Sequence, residues 1–336
     1  MTDVPLDVVL RVGDHDSIDS VATQAREAED RGFARVSAGE TTGRDMVTTF
    51  AVVGERTDRI GVSTDVLSPY GRAPTVLAQT ALTMHEATGG RFRLGLGTSS
   101  PAIAEGWHGA AFDRPLRRLR ETIDVIREVY AGGRVSYGGE VYDLDGLAYE
   151  GPVPDDPPPI DVAALGPKAV ELAGRFADGW VPQLFTPDAL ADRVEDLRRG
   201  ADLGGRDPRS IRTAPLVRCY VDEDRERARE AVRSAVAFLI GAYGPFYGQS
   251  VAEQGYAGVV EEVRAAWEDR DTDAMAAALP EDLLDELAAA GTPEEVRDRV
   301  ERFAAVDGIN AVRVGFVRGM DRDDEAATLA ALEPLL

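Results

Sequence analysis

The stretch RFRLGLGTSS, residues 91–100, decides the fold. It is a short β-type run that ends on Gly95 and Gly97. A glycine-rich turn after a strand marks a doubly wound, dinucleotide-binding sheet, but that fingerprint carries a third glycine and follows the first strand. Here Ser100 takes the third position. Three strand-like runs also come earlier: LDVVLRV (6–12), FARVSAG (33–39) and RIGVSTDVL (59–67). The glycine pair therefore belongs to a fourth strand.

Outward from it, β-type runs keep alternating with amphipathic stretches. IDVAAL (160–165), DGWVPQLF (178–185), IRTAPLVRCYV (211–221) and INAVRVGFV (309–317) complete eight strands. Helices are predicted over 17–32, 45–57, 74–88, 114–131, 167–177, 187–203 and 223–240, with two more after Thr292. Ser17 caps the first and Gly32 ends it. Thr292 and Glu295 form a capping box with Pro293 at the first helical position. Two insertions interrupt the alternation. One covers about 132–159 and starts as a hairpin with Gly138-Gly139 at its turn; the other covers about 241–291. Eight strand–helix units predict an α/β fold, a (β/α)8 TIM barrel with insertions, forming a single domain over 1–336.

Composition bounds the function. Lys and Arg number 37 against 60 Asp and Glu, a net charge of −23. That argues against nucleic acid, which wants a basic stripe, and against an anionic membrane surface. The acid is dispersed along the chain, as in VDEDRERARE and MDRDDEAATL, and Lys168 is the only lysine. Such a surface fits solubility in concentrated salt, where screening removes self-repulsion. One cysteine, Cys219, excludes an internal disulfide; with His15, His85 and His108 it makes no zinc site of the usual spacing. No apolar run reaches the roughly 18 residues of a membrane span. A soluble, cytoplasmic protein acting on a small-molecule substrate is expected.

In a barrel the active site lies at the C-terminal strand ends. That rule selects Glu40, Asp65 to Ser68, Gly97 to Ser100, Gly166 to Lys168, Gln183, Tyr220 and Arg318. In LGPKAVELAG, Pro167 suits the first helical position and leaves Lys168 in the first turn, where the helix dipole disfavours a cation. A bound anion resolves the conflict, because the free N–H groups, the dipole and the ammonium all favour it. The alternative is an exposed lysine of no consequence. In SAGETTGRDM, Glu40 is an acid–base group or a hydrogen-bond anchor; Arg44 and Asp45 either face substrate or cap the next helix and pair with each other. The loop after the fourth strand carries Trp107 and His108, which line a pocket or pack the loop. No serine sits in G-x-S-x-G, so a hydrolase elbow lacks support.

SAGETTGRDM, SPYGRAPTVLAQTALTMHEATGGRFRLGLGTSSPAIAEGWHG, PLRRLRETIDVIREV, AALGPKAVELAGRFADGWVP and ALPEDLLDELAAAGTPEEVRDRV, in that order, resemble the luciferase-like monooxygenase superfamily. EGWHG narrows the likeness to its branch using the deazaflavin coenzyme F420, related to methylenetetrahydromethanopterin reductase. The resemblance implies a barrel with the coenzyme at its mouth and hydride transfer between the reduced deazaflavin and a small organic substrate, a methylenetetrahydromethanopterin-like compound being one candidate. It implies a non-prolyl cis peptide at Asp65-Val66 backing the ring, with Ser68, Gly97 and Thr98 beside it. Gly166, Pro167 and Lys168 match the phosphate-holding segment. Glu40 and His108 are the implied catalytic residues; Trp107 and Arg44 the implied substrate contacts. Many relatives carry a histidine beside Glu40; this chain has Thr41. The alternatives are an FMN-dependent monooxygenase and a barrel that binds flavin or deazaflavin without turnover. A homo-oligomer, dimer or tetramer, is also implied.

Overall fold

The computed structural model describes residues 4–14 and 17–336; His15 lies outside them. Among the described residues twelve strands form: β1 Leu6–Val9, β2 Arg35–Ala38, β3 Gly61–Thr64, β4 Phe92–Gly97, β5 Arg134–Gly138, β6 Asp143–Ala148, β7 Ile160–Ala163, β8 Gly179–Trp180, β9 Arg212–Thr213, β10 Leu216–Val221, β11 Ala288–Gly291 and β12 Val312–Gly315. Ten of them make one parallel sheet in the order β11-β10-β12-β1-β2-β3-β4-β7-β8-β9. The sheet curls until its ends meet, because β9 runs into β10. Leu216 N–H donates to Pro182 O at 2.8 Å and Gln183 bridges Leu216, while Arg313 N–H donates to Pro215 O at 2.8 Å. One interrupted strand thus ties β8 to β12, and the expected barrel is present. IRTAPLVRCYV reads as one strand but splits at Ala214-Pro215, since proline has no N–H for the ladder.

Side chains alternate along each strand. Val8, Val36, Val62, Leu94, Val162 and Trp180 are buried in the shell beneath the helices. The opposite phase points inside, and at the N-terminal end it is charged rather than the branched aliphatic filling usual for this architecture. Arg93 forks onto Asp161, with Nε–H to Oδ2 at 2.8 Å and Nη2–H to Oδ1 at 2.5 Å; Arg212 pairs with Asp7. Arg35 donates to Val62 O at 3.1 Å and Arg91 O at 3.0 Å. Glycine makes room between them: a Cβ at Gly179 would stand 2.1 Å from Asp161 Oδ1. Burial pushes Arg35 down to about 10 and raises Asp7 despite Arg212. Burial would raise Asp161 too, but the Arg93 guanidinium outweighs it and holds the carboxyl below its ordinary value.

The predicted helices form with their caps. Ser17 accepts from Ser20 N–H, Gly32 ends the first helix in the left-handed region, and the Thr292–Glu295 capping box is complete. The helices Pro167–Phe176 and Pro187–Leu203 cross on glycine: a Cβ at Gly174 would lie 2.1 Å from Leu197 O, and one at Gly200 2.1 Å from Glu171 O. In the first insertion, β5 and β6 form the expected antiparallel hairpin, with its turn shifted to 139–142. Glu121 holds that turn by accepting N–H groups of Glu140 and Val141, both at 2.9 Å, and Tyr142 at 3.1 Å. The second insertion is helical except for β11, which extends the sheet along the second half of β10. Its sequence, AAAG, carries no β signal, and only pairing makes it a strand.

Candidate active site

The C-terminal ends of β2, β3 and β4 build one side of the mouth. Directly after β3 comes a cis peptide between Asp65 and Val66, at the position the resemblance implied. The chain then returns to the ladder, with Leu67 N–H donating to Gly95 O at 2.9 Å and Gly97 N–H to Leu67 O at 3.1 Å. This close approach is why the fourth strand ends in glycines. A Cβ at Gly95 would lie 1.9 Å from Thr64 O, and one at Gly97 2.4 Å from Val66 Cγ2. GLG is thus a seat for the neighbouring bulge, not a phosphate loop. The Asp65 side chain turns inward and pairs with Arg313 of β12, both largely buried. Arg313 also donates to Ala214 O at 2.8 Å and Pro182 O at 2.9 Å. Ser68 accepts Tyr70 N–H at 3.2 Å and shapes the following turn. Thr98 is partly exposed at the rim.

Glu40 sits beyond β2, where its carboxylate accepts Met46 N–H at 3.1 Å and both Nη groups of Arg72, the Nη2 bond being 3.0 Å. Arg72 also pairs with Asp45, which caps the next helix by accepting Thr48 N–H at 2.7 Å. One expectation changes here. Arg44 does not pair with Asp45; its Nη1 donates to Val12 O at 2.8 Å. Arg72 stands beside Glu40 and Asp45 instead, because the turn after β3 brings it across. Glu40 itself is placed as an anchored acceptor; donating a proton would require breaking the Arg72 pair.

The loop after β4 contributes His108, whose ring lies against Gly71, next in sequence to Arg72: a Cβ at Gly71 would be 2.9 Å from His108 Cε1. His108 and Glu40 thus flank the same turn. Trp107 is 59% exposed rather than buried beneath the loop. Phe112 stacks on Tyr70, with centroids 5.1 Å apart, and meets Phe246 of the second insertion at 6.0 Å. On the far side of the mouth, Gly166 precedes the helix Pro167–Phe176, and no side chain caps that helix. Lys168 is exposed in its first turn and forms no ion pair among the described residues. A Cβ at Gly166 would meet nothing within 4 Å, so the space before the helix end is open.

Two groups escaped the sequence reading. Arg218 on β10 donates from Nη2 to Gln183 Oε1 at 2.9 Å, and Gln183 Nε2 donates to the Tyr247 hydroxyl at 2.6 Å. Burial pushes Arg218 down to about 10 and raises the Tyr247 phenol. The available signal was an arginine at an inward position of an apolar strand, in LVRCYV as in AVRVGFV. Two strand-end residues selected by rule lie elsewhere. Tyr220 donates to Asp324 Oδ2 at 2.8 Å under the last long helix, and Arg318 is exposed.

The mouth thus presents the Asp65–Val66 bulge, with the Val66 side chain seated over Gly97, on one side, and on the other an uncapped helix start with the exposed Lys168 ammonium, a favourable place for an anion. The luciferase-like monooxygenase family matches residues 6–308. A Mycobacterium tuberculosis protein named as a coenzyme F420-dependent oxidoreductase is 34% identical over 300 residues, covering 83% of this chain and 85% of its own. The 5,10-methylenetetrahydromethanopterin reductase of Archaeoglobus fulgidus is 28% identical over 298 residues, covering 88% and 89%. Among solved structures, the coenzyme F420-dependent tetrahydromethanopterin reductase of Methanopyrus kandleri superposes with a TM-score of 0.81 at 23% identity, covering 98% of each chain. Sequence and barrel agree, and the chain belongs to the luciferase-like monooxygenase family, with F420-dependent oxidoreductases among its homologues.

Proposed function

We propose that this chain is an F420-dependent oxidoreductase that moves a hydride between the deazaflavin and a small organic substrate. The observation that carries the reading is the meeting of the Asp65–Val66 bulge with Gly97 at the barrel mouth, where the missing side chain of Gly97 admits that of Val66, in a chain whose relatives include proteins named for F420. When bound, the deazaflavin supplies the carbon that gives or takes the hydride. The chain supplies the rest. Lys168 and the first turn of its helix hold the phosphate, providing the local positive charge an anionic coenzyme needs against a net charge of −23. Val66 and Gly97 support the ring, with Ser68 and Thr98 at its edge. Glu40, fixed by Arg72 and Met46 N–H, orients a donor group of the ring or substrate. His108, whose ring lies beside Gly71, holds or delivers a proton on that side in this reading. Trp107 and the Tyr70–Phe112 stack wall the substrate space. Methylenetetrahydromethanopterin, named in the reductase relative, is the first acceptor to assay.

A side-by-side titration with F420 and FMN in molar KCl, read by tryptophan quenching, tests this. F420 is expected to bind at least about tenfold tighter than FMN, and Lys168→Ala to weaken F420 about tenfold or more, the worth of one charge-assisted contact. Lys168→Arg should retain most of the affinity. Tight FMN with weak F420 would make the chain a flavin monooxygenase and refute the proposal.

A further inference from the structure

Arg218 differs from the other arginines inside the barrel. Arg93, Arg212 and Arg313 each meet a carboxylate, and Arg35 rests on two carbonyls at the closed end, within electrostatic reach of Asp7 and Asp161. Arg218 has one hydrogen-bond partner, the neutral amide of Gln183, and no carboxylate within ion-pair distance among the described residues. Asp65, the acid in electrostatic reach, is already taken by Arg313. In a chain with 60 acids to 37 basic residues, an unanswered guanidinium in the interior stands out. It also sits at the working end: Arg218 aligns with Gly315, the last residue of β12.

Hydrogen-bond direction tells what the group wants. Arginine only donates, so Gln183 must turn Oε1 toward Arg218 and Nε2 toward Tyr247. The Tyr247 oxygen therefore accepts, and its own proton has no acceptor among the described residues. Two donors remain free: the other N–H groups of Arg218 and the Tyr247 O–H. Gln183 spaces them and fixes both. Tyr247 lies on the helix Pro245–Val251, whose Phe246 meets Phe112 in the loop after β4, so the insertion that carries Tyr247 borders the loop that carries Trp107 and His108. Arg218 is half-buried at the mouth with no counter-charge beside it, and a permanently charged ligand answers that charge where a merely polar one does not.

We propose that Arg218 and Tyr247 form the recognition site for a carboxylate on the substrate. The proposal rests on the mouth being the catalytic site, as read above, and specifies the substrate as a carboxylate-bearing compound. Arg218 takes the carboxylate as a charged fork, Tyr247 donates a neutral bond, and Gln183 is a positioning residue that sets their spacing.

The test is calorimetric titration of the full chain with benzoate and its neutral counterpart benzamide at fixed ionic strength, with F420 affinity measured separately. Benzoate is expected to bind at least about tenfold tighter than benzamide, the weight of a charge-assisted hydrogen bond. Arg218→Gln should remove that preference without changing F420 affinity. Tyr247→Phe should weaken benzoate about threefold or more and leave benzamide unchanged, a check that does not depend on the folding of the arginine variant. Equal binding of the two probes by the unaltered chain, or a preference surviving in Arg218→Gln, overturns the proposal. A loss confined to F420 in Arg218→Gln overturns it too, by giving the guanidinium to the coenzyme. Failure of the unaltered chain to bind F420 would instead refute the coenzyme reading and leave the benzoate result standing.

Discussion

Replacing Arg313 with alanine should be among the most damaging single changes to this fold. The Arg313 side chain is 4% exposed and that of Asp65, its partner, 10%. The same guanidinium satisfies Ala214 O and Pro182 O. Its removal strands a buried carboxylate and frees two carbonyls where β8, β10 and β12 meet. Breaking a buried pair from one side costs about 3–5 kcal/mol. Asp65→Ala should cost less, about 2–3 kcal/mol, because the guanidinium keeps its two carbonyls. The double variant should be little worse than Arg313→Ala alone, since the stranded charge is gone, which puts the coupling at about 2–3 kcal/mol. Urea unfolding of the four proteins, followed by far-UV circular dichroism, measures it. Additivity within about 0.5 kcal/mol would refute the reasoning, by showing that the two side chains do not depend on each other.

Glycine at 200 should be required despite its poor helix propensity. Gly200→Ala, normally worth up to about 1 kcal/mol in a helix's favour, should instead cost about 1–3 kcal/mol, because the new Cβ would meet Glu171 O; thermal unfolding gives the sign. Acid should loosen the fold through Glu29 and Glu121. Burial favours their neutral forms, but three backbone N–H donors at each outweigh it and hold both carboxyls below the ordinary glutamate value. Their stabilisation is full above pH of about 4.5 and lost as pH falls through the depressed folded values, so Glu121→Gln should flatten the acid limb of a stability–pH profile. Finally, with a net charge of −23, the melting temperature should rise as KCl increases from about 0.05 M to 1 M. A salt-independent melting temperature would contradict the reading of the acidic surface.

The barrel was legible because it rests on local periodicity: eight β-type runs, each followed by an amphipathic stretch, need no long-range information. The strand-end rule located Glu40, the Asp65–Val66 turn, Gly97 and Lys168 at the mouth for the same reason. What it missed depends on contacts between distant segments. Arg72 reaches Glu40 across 32 positions and Arg313 reaches Asp65 across 248, so nothing in the spacing announces either pair. Arg44, adjacent to Asp45, looked like its partner only because neighbours in sequence are easy to pair. β11 escaped because AAAG becomes a strand only when β10 supplies the ladder. Tyr247 escaped because it sits on a short helix of an insertion, away from any strand end, and only the fold brings it beside Gln183.

The charged floor has a consequence for how the barrel closes. An aliphatic interior tolerates sliding, since one branched side chain fills a layer much as another does. Here Asp7 must find Arg212 across 205 positions and Arg93 must find Asp161 across 68. A strand displaced by one residue would turn these charges toward the helices and bring apolar side chains inside. A displacement by two would restore the facing but separate the partners. Misregistered closure therefore leaves unpaired ions in a dry interior, which carries a far steeper penalty than imperfect packing. The floor acts as a keyed lock on strand register, admitting one staggering of the ring and expelling the rest.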